Sequence, residues 1–155
     1  MPRAKMGSDE AAATLQRDYV LDVQVGYLLR LASQRHAAIF QRHAIDNLTP
    51  TQFSTLIRIA ETGEVSQNHL GRLAAMDVAT IKGVVDRLRA KGLVQSGPDT
   101  HDKRRSLISL TRKGRGMIAQ LHDMGTRITD ETLAPLSAPE RRTLVALLAK
   151  ISRES

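Results

Sequence analysis

The sequence predicts a mainly α-helical protein with a small β wing, in which a winged helix-turn-helix is flanked by helices at both ends. Three observations support this fold class. Three short amphipathic segments, each with its own start and stop signals, follow one another between residues 48 and 92. Two short strand patterns enclose a charged loop directly afterwards. Longer segments with a helical spacing of apolar residues precede and follow this central unit.

The first short helix is predicted from a strong start signal at Thr49. A threonine at the N-cap, Pro50 at the first helical position and Gln52 three residues after the cap are typical of a helix start. Gly63 is expected to end the helix, because glycine adopts the left-handed backbone that closes many helices. The expected buried face consists of Phe53, Leu56, Ile57 and Ala60.

The next two helices are predicted to form a helix-turn-helix. Ser66 is expected to cap the second helix, and its buried face holds Leu70, Leu73 and Ala74. Asp77 is expected to cap the third helix and Gly92 to end it. The helical spacing predicts one buried face for Val78, Ile81, Val85 and Leu88. The opposite side carries small, polar and basic residues, which suits the major groove of DNA, about 12 Å wide.

A wing is predicted directly after the third helix. Leu93–Ser96 and Arg105–Leu110 are expected as strands, joined by a charged, turn-rich loop over residues 97–104. In the second strand Ile108 and Leu110 alternate with polar Ser109, as in a half-buried strand. A strand, a charged loop and a second strand after a helix-turn-helix are the parts of a wing.

The flanking segments are expected to form a separate helical layer made of residues 18–47 and 111–155, whereas residues 48–110 form the winged unit. A long helix is predicted from about Asp18 to Ala44, with apolar residues on more than one side, which indicates a second contact surface such as a dimer partner. Thr111 and Ser137 are expected to cap two further helices. Residues 1–17 are expected to form a flexible N-terminal arm.

The composition favours a polyanionic partner and excludes several classes of site. The formal net charge is +7 and the isoelectric point is about 10.4, which points to nucleic acid before an anionic membrane. The chain has no cysteine, so disulfides and thiolate metal sites are excluded. No apolar run approaches the roughly 18 residues of a membrane span, and no signal peptide is recognised, so we expect a cytoplasmic protein. The low aromatic content of 3% disfavours stacking of single-stranded nucleic acid.

Three runs of residues carry a family resemblance. They are Leu48-Thr49-Pro50-Thr51-Gln52-Phe53, Gly92-Leu93-Val94, and the wing run Asp99-Thr100-His101-Asp102-Lys103-Arg104 followed by Ser109-Leu110-Thr111-Arg112-Lys113-Gly114. Together with the order of the helices, they resemble the MarR family of winged helix-turn-helix repressors (multiple antibiotic resistance regulators) over nearly the whole chain. The sequence departs from the family pattern at Thr100, where a proline is common.

The runs 66–73 and 76–87 are similar to a subgroup that controls aromatic-acid and hydroxycinnamate degradation, of the p-coumaroyl-CoA-responsive type. The resemblance implies a triangular homodimer whose terminal helices form the dimer layer. It also implies that each winged unit reads one half of a near-palindromic operator, and that a ligand site lies between the two regions. Thus the expected partners are double-stranded DNA, a second copy of the chain and a small-molecule effector, without a membrane.

The expected DNA contacts fall on three elements. On the third helix they are Ala79, Thr80, Lys82, Gly83 and Arg87, with Ala79 able to touch a thymine methyl group. At the start of the second helix they are Ser66, Gln67 and Asn68, as phosphate partners. At the wing they are Lys103, Arg104 and Arg105, with an arginine entering the minor groove and an aspartate such as Asp102 positioning it. Alternatively, Gly83 serves a helix–helix contact, and the wing cations form only a solvated surface.

Cationic and aromatic residues of the first long helix are the expected ligand contacts. An anionic effector needs cationic partners, which Arg30, Arg35 and His36 supply, while Tyr27, Phe40 and Phe53 are candidates for an apolar pocket. The alternative roles are an interface histidine at His36 and core packing for the aromatic residues. The five histidines have no ligand spacing, so no metal site is expected.

The function predicted from these observations is a homodimeric repressor of a catabolic operon. A small anionic ligand, either an aromatic acid or an aromatic acyl-CoA, is expected to release it from a palindromic operator. The alternative is an effector-independent, architectural DNA-binding protein of the nucleoid type. An enzyme is not expected, because no catalytic constellation or phosphate-binding loop stands out, and no cofactor is expected.

Overall fold

The computed structural model describes residues 18–153, so the predicted N-terminal arm lies outside the described residues. The described part divides after Ala38 into two units. The α-helices are α1 (Val25–His43), α2 (Pro50–Thr62), α3 (Gln67–Leu73), α4 (Val78–Ala90), α5 (Arg112–Thr132) and α6 (Ala138–Ile151). The strands are β1 (Val65–Ser66), β2 (Val94–Pro98) and β3 (Ser106–Leu110). The mainly helical fold with a small antiparallel sheet confirms the predicted fold class.

The first unit corrects the prediction of one continuous helix from Asp18. A 3-10 turn, Leu21–Val23, is followed by extended backbone at Gln24, and α1 begins only at Val25. The Gln24 side-chain amide donates to the Val20 carbonyl at 3.0 Å, which stabilises the break. Most of the large apolar side chains between residues 18 and 38 are exposed: Tyr19, Val20, Leu21, Val23, Val25, Leu28, Leu29 and Leu31.

The second unit, from Ile39 onward, contains the hydrophobic core. Buried side chains of α2, α3, α4, the sheet and α5 pack together around Leu56, Leu70 and Leu121. The buried face of α2 differs from the prediction, because Ile59 is fully buried whereas Phe53, Ile57 and Ala60 lie at its edge. These edge positions leave part of α2 open to a groove described below.

The helix-turn-helix consists of α3 and α4, and both predicted caps are present. The Ser66 hydroxyl accepts from the His69 amide at 3.3 Å, and the Asp77 carboxylate accepts from the Thr80 amide at 2.7 Å. Gly71 lies against Ile81: a Cβ atom there would lie 3.2 Å from both the Ile81 Cγ2 atom and the Met76 carbonyl oxygen. Glycine at this position therefore lets α3 approach α4 closely.

The predicted buried face of α4 needs one correction. Ile81, Val85 and Leu88 are buried as expected, but Val78 is 69% exposed and Val84 takes the remaining core position. Val78 lies at the edge of this face and in the first turn. There the side chain leans toward the helix N-terminus, so it is not covered by the core.

The wing is a β2–β3 hairpin, and its strands begin later than predicted. The antiparallel register pairs Val94 with Leu110 and Pro98 with Ser106. The prediction missed β1, a two-residue strand that pairs with β3 and makes the sheet order β1–β3–β2. The strand β1 has only two residues, which are too few to show an alternation of apolar and polar side chains. One of them, Ser66, is also the N-cap of α3.

The helix α5 is joined to the base of the wing. The Thr111 hydroxyl donates to the Gly92 carbonyl at 2.6 Å and accepts from the Gly114 amide at 3.1 Å. Gly92 has a φ of 73°, which permits the turn between α4 and the wing. The predicted capping box at Ser137 is present and begins α6.

Candidate nucleic-acid interface

The helix α4 presents a polar side directly opposite its buried side. Ile81, Val84, Val85 and Leu88 face the core, so the remaining positions of the helix are directed outward. The exposed members of the predicted DNA contacts on this helix are Ala79, Thr80, Lys82 and Arg87. A rigid helix held by its buried face therefore presents these four side chains together.

The N-terminus of α4 is fixed by Asp77. Its carboxylate accepts the Thr80 backbone N–H, and this hydrogen bond holds the pKa of Asp77 below its ordinary value. The side chain remains ionised at neutral pH and satisfies an amide that the helix leaves without a partner. The first turn of α4 is thereby kept in one conformation.

Asp86 joins two cations of α4 and, through one of them, the wing. Its carboxylate accepts from Lys82 Nζ at 2.8 Å and from Arg89 Nη1 at 3.1 Å. The Arg89 guanidinium also donates from Nη2 to the Ser96 hydroxyl on β2 at 2.6 Å. Lys82, and after it Arg89, hold the pKa of Asp86 below its ordinary value. The Asp86 partners are therefore Lys82 and Arg89, not the neighbouring Arg87.

Sequence reasoning missed the bridge from Arg89 to Ser96. The spacing from Asp86 to Arg89 is a visible i,i+3 pair on a helix. The partner on β2 depends on how the hairpin turns back toward α4, and no local pattern reports that. The bridge matters because it joins the two elements that carry most of the predicted DNA contacts.

Gly83 leaves the middle of the exposed side open. A Cβ atom at this position would meet only the Arg87 Nη1 atom, at 3.6 Å, which is an ordinary contact. The structure therefore shows no helix–helix contact at Gly83 within the described residues. The Arg87 guanidinium lies beside the glycine, on the surface of α4.

The wing tip carries three exposed cations on a braced loop. Asp99 Oδ1 accepts from the His101 amide at 2.9 Å, and Asp102 Oδ1 accepts from the Arg104 amide at 3.0 Å. The two aspartates thus stabilise the backbone of the loop, and Asp102 positions Arg104 through its main chain. The exposed cations are Lys103, Arg104 and Arg105.

The three residues predicted to hold a phosphate lie at the start of α3. Ser66 is the N-cap and its hydroxyl is already used by the His69 amide. Ser66 and Gln67 are half-buried, and Asn68 is exposed. Asn68 also borders a depression of about 340 Å³ together with Arg72 and Val78. The start of α3 and the start of α4 therefore share one surface.

A second concave region lies between α2 and α5. It is a groove of about 590 Å³ with Phe53 and Ile57 on one side and Gly125 on the other. Arg58 and His122 supply polar groups at the groove. Gly125 permits the close approach of the Phe53 ring, since a Cβ atom there would lie 3.0 Å from its Cζ atom.

The predicted ligand residues fall into both units. In the first unit the Arg30 guanidinium lies over the Tyr27 ring, 5.4 Å from its centroid, and Arg35 and His36 are exposed to solvent while making contacts of their own. In the second unit Phe40 is 5% exposed and meets Phe53 edge to face, with 5.8 Å between ring centroids. Of these six residues, Phe53 lines the groove between α2 and α5.

An ion-pair cluster absent from the prediction joins the end of α1 to α5. Glu131 accepts from Arg42 Nη2 at 2.5 Å and lies 2.6 Å from His43 Nε2. These contacts, with His43 first and Arg42 second, hold the pKa of Glu131 below its ordinary value. The pairing spans 88 residues of sequence, so periodicity and caps contain no signal for it.

Residues 18–153 contain neither a membrane-spanning helix nor a metal-binding cluster. No helix in this range is both long and apolar enough to cross a membrane. The same range contains no group of three or more histidine, aspartate and glutamate side chains arranged to hold a metal ion.

Comparison with known proteins identifies the family of the chain. The model of the MarR family matches residues 48–106, which contain the helix-turn-helix and most of the wing. The HTH-type transcriptional repressor NicR of Pseudomonas putida is 41% identical over 134 residues, which cover 86% of this chain and 85% of that protein.

Solved structures of two similar proteins have the same fold. A probable transcriptional regulator from Pseudomonas aeruginosa is 48% identical, with a TM-score of 0.81, over 85% of this chain and 99% of that one. BpsR of Bordetella bronchiseptica is 37% identical, with a TM-score of 0.83, over 88% of this chain and 99% of that one. Its structure concerns the regulation of BpsR DNA binding by 6-hydroxynicotinic acid.

These relatives confirm the prediction of a transcriptional regulator rather than an enzyme. The match spans the helix-turn-helix, the wing and the helices on both sides of them. The chain therefore belongs to the MarR family, whose relatives in these comparisons are transcriptional regulators.

Proposed function

We propose that this chain is a homodimeric repressor that binds a near-palindromic operator and is released from it by a small aromatic acid. The main observation in favour of DNA binding is that helix α4 has one buried side and one exposed polar side. One side is fixed in the core, and the other presents Thr80, Lys82 and Arg87 next to a wing with three exposed cations. In this reading residues 48–110 bind DNA, and residues 18–47 and 111–155 form the dimer layer.

The polar side of α4 enters the major groove. Lys82 and Arg87 donate to base edges or phosphates, and Ala79 and Thr80 offer methyl groups to thymine. The open surface at Gly83 lets the helix backbone approach the groove closely. These contacts select the sequence, while the cations supply a salt-dependent share of the affinity.

The wing and the start of α3 contact the backbone and the minor groove. Arg104 or Arg105 enters the minor groove, and Lys103 pairs with a phosphate. The loop braced by Asp99 and Asp102 holds the cations in place, which lowers the entropy lost on binding. Gln67 and Asn68 hold a phosphate at the start of α3, with Ser66 as the cap.

Exposed apolar side chains support a homodimer. In the first unit they lie on and before α1, and in the second unit a row on α6 consists of Val145, Leu147, Leu148 and Ile151. Monomeric proteins seldom expose contiguous apolar patches of this kind. A two-fold dimer matches a palindrome whose half-sites are one helical turn apart, about 34–36 Å.

The effector is an aromatic or heteroaromatic carboxylic acid. Support comes from BpsR, whose DNA binding is regulated by 6-hydroxynicotinic acid, and from the groove between α2 and α5. The Phe53 ring and Ile57 suit an aromatic ring, and His122 suits a carboxylate, whereas Arg58 is already paired with Glu61 at 2.9 Å. Tyr27, Arg30, Arg35 and His36 of the first unit remain predicted ligand contacts, and in the second unit Phe40 packs edge to face against Phe53.

Operator binding and its release test the proposal in one titration. A duplex carrying a palindrome from the protein's own promoter is compared with a shuffled duplex of the same composition. We expect affinity at least about 10³-fold higher for the palindrome and a steep loss of affinity with salt. Lys82→Met and Arg104→Met each weaken binding. Adding 6-hydroxynicotinate, benzoate or a hydroxycinnamate then weakens operator binding about 5- to 150-fold.

The controls separate this function from its alternative. An architectural protein binds both duplexes equally and ignores all acids, so that result overturns the proposal. Release by coenzyme A thioesters but not by free acids overturns the proposed effector class alone. Arg35→Met and His36→Gln are expected to weaken the acid response while leaving operator affinity unchanged.

A further inference from the structure

Val78 is a large apolar side chain that the core does not cover. It is 69% exposed, although it lies on the same helix as the buried Ile81 and Val85. Apart from the row on α6, it is the one large apolar side chain with such exposure in the described residues from Ile39 onward. Single exposed apolar residues are common, so its location decides what it means.

The location is the first turn of the helix assigned to the major groove. Residues at the start of such a recognition helix reach base edges. Ala79 and Thr80 follow Val78 on the surface, and Asn68 and Arg72 line the same depression beside it. Val78 is therefore an apolar group among amide, hydroxyl and guanidinium groups, a mixture that matches the edge of a base pair.

The side chain is also rigid. The Asp77 cap holds the first turn through the 2.7 Å hydrogen bond from the Thr80 amide. A β-branched valine on a helix has one strongly preferred rotamer. Its two methyl groups thus project from α4 at a fixed position, and little conformational entropy is lost when a partner contacts them.

We propose that Val78 determines operator specificity by packing against the 5-methyl group of a thymine in the major groove. This inference rests on the proposed function and adds the chemical feature that α4 reads at that position. Thymine is the one standard DNA base with a methyl group there, so the contact distinguishes thymine from cytosine and both purines. The contact at Val78 adds a preference for thymine to the hydrogen bonds that Lys82 and Arg87 donate.

A double replacement, in the protein and in the DNA, tests the contact. Duplexes selected by the protein from a random-sequence pool supply the operator, and each thymine in turn is replaced by deoxyuridine, which removes only the methyl group. For the wild-type protein, we expect about fourfold weaker binding when the thymine that Val78 contacts in each half-site is replaced, the effect of burying about one methyl group. For Val78→Ala, replacing that same thymine is expected to have no effect. A thymine that Ala79 or Thr80 contacts is expected to show the same loss in the wild type and in Val78→Ala.

The controls make each outcome decisive. Alanine is a better helix former than valine and the side chain is exposed, so Val78→Ala is expected to fold as the wild type does. Lys82→Met weakens binding of the thymine and deoxyuridine duplexes by the same factor, since it does not act through a methyl group. If every deoxyuridine replacement costs Val78→Ala as much as the wild type, the contact does not exist, although the protein still binds DNA. If the pool yields no preferred duplex, the proposed function itself fails.

Discussion

Gly114 lies where the first turn of α5 meets the base of the wing, and the structure leaves no room for a side chain there. A Cβ atom would lie 2.2 Å from the Leu93 carbonyl oxygen and 3.1 Å from its carbonyl carbon. Since the clash is with backbone, no rotamer change relieves it. We expect Gly114→Ala to lower the free energy of unfolding by about 3 kcal/mol, measured by urea denaturation.

Gly116 on the same helix provides the matched control. Nothing lies within 4 Å of a Cβ atom built at Gly116, and the residue is exposed. Because alanine favours a helix over glycine, Gly116→Ala is expected to stabilise the protein by about 0.5–1 kcal/mol. Equal stabilisation at the two positions would show that Gly114→Ala acts through helix propensity alone, and that the approach to Leu93 does not require a glycine.

Local rules predicted the helix caps but not the close approaches. Thr49, Ser66, Asp77 and Ser137 each receive the amide that their residue type and position predict. A capping hydrogen bond spans only a few residues, so the sequence contains all of it. The clash at Gly114 depends instead on the carbonyl of Leu93, which the fold brings to the start of α5.

At the scale of secondary-structure elements, Arg89 connects α4 to the wing. Its guanidinium bridges Asp86 on α4 and Ser96 on β2. We expect Arg89→Met to weaken operator binding about three- to tenfold, the effect of losing one or two hydrogen bonds that hold the wing in place. Minor-groove protection at the wing should decrease more than major-groove protection at α4, as read by footprinting.

Arg58 supplies the comparison for Arg89. It makes a similar exposed i,i+3 ion pair, with Glu61 at 2.9 Å, but lies on α2, away from the predicted DNA contacts. Both substitutions should leave the unfolding midpoint nearly unchanged, because exposed ion pairs contribute little stability. If Arg58→Met weakens operator binding as much as Arg89→Met does, the bridge has no special role and the loss reflects net charge.

Periodicity in the sequence predicted which segments are helices and strands, but it did not predict where those segments end. The buried row of α4 was correct except at its first residue, Val78, where a position at the edge of the face is also at the end of the helix. Similarly, the break at Gln24 has no glycine or proline to signal it. The error at Val78 occurs where tertiary packing, and not local spacing, decides which residues are covered, whereas the break at Gln24 accompanies a local side-chain hydrogen bond that periodicity does not report.

The molecule as a whole exposes an apolar row on α6 that a dimer would bury. Leu147 and Ile151 are 55% and 63% exposed, one turn apart. We expect Leu147→Glu to shift the protein from dimer toward monomer in sedimentation velocity, since a charge buried in an apolar interface is unfavourable. Operator affinity falls with it, because one winged unit contacts only one half-site.

The matched control for this last substitution is Thr143→Glu, which adds the same charge at an exposed polar position of α6. It should leave both the sedimentation coefficient and operator affinity unchanged. Circular dichroism distinguishes a folded monomer from an unfolded chain, and a folded monomer shows that the α6 row is needed for the dimer. A Leu147→Glu protein that still sediments as a dimer would place the dimer contact elsewhere, and the exposed residues before and on α1 would then be the surface to test.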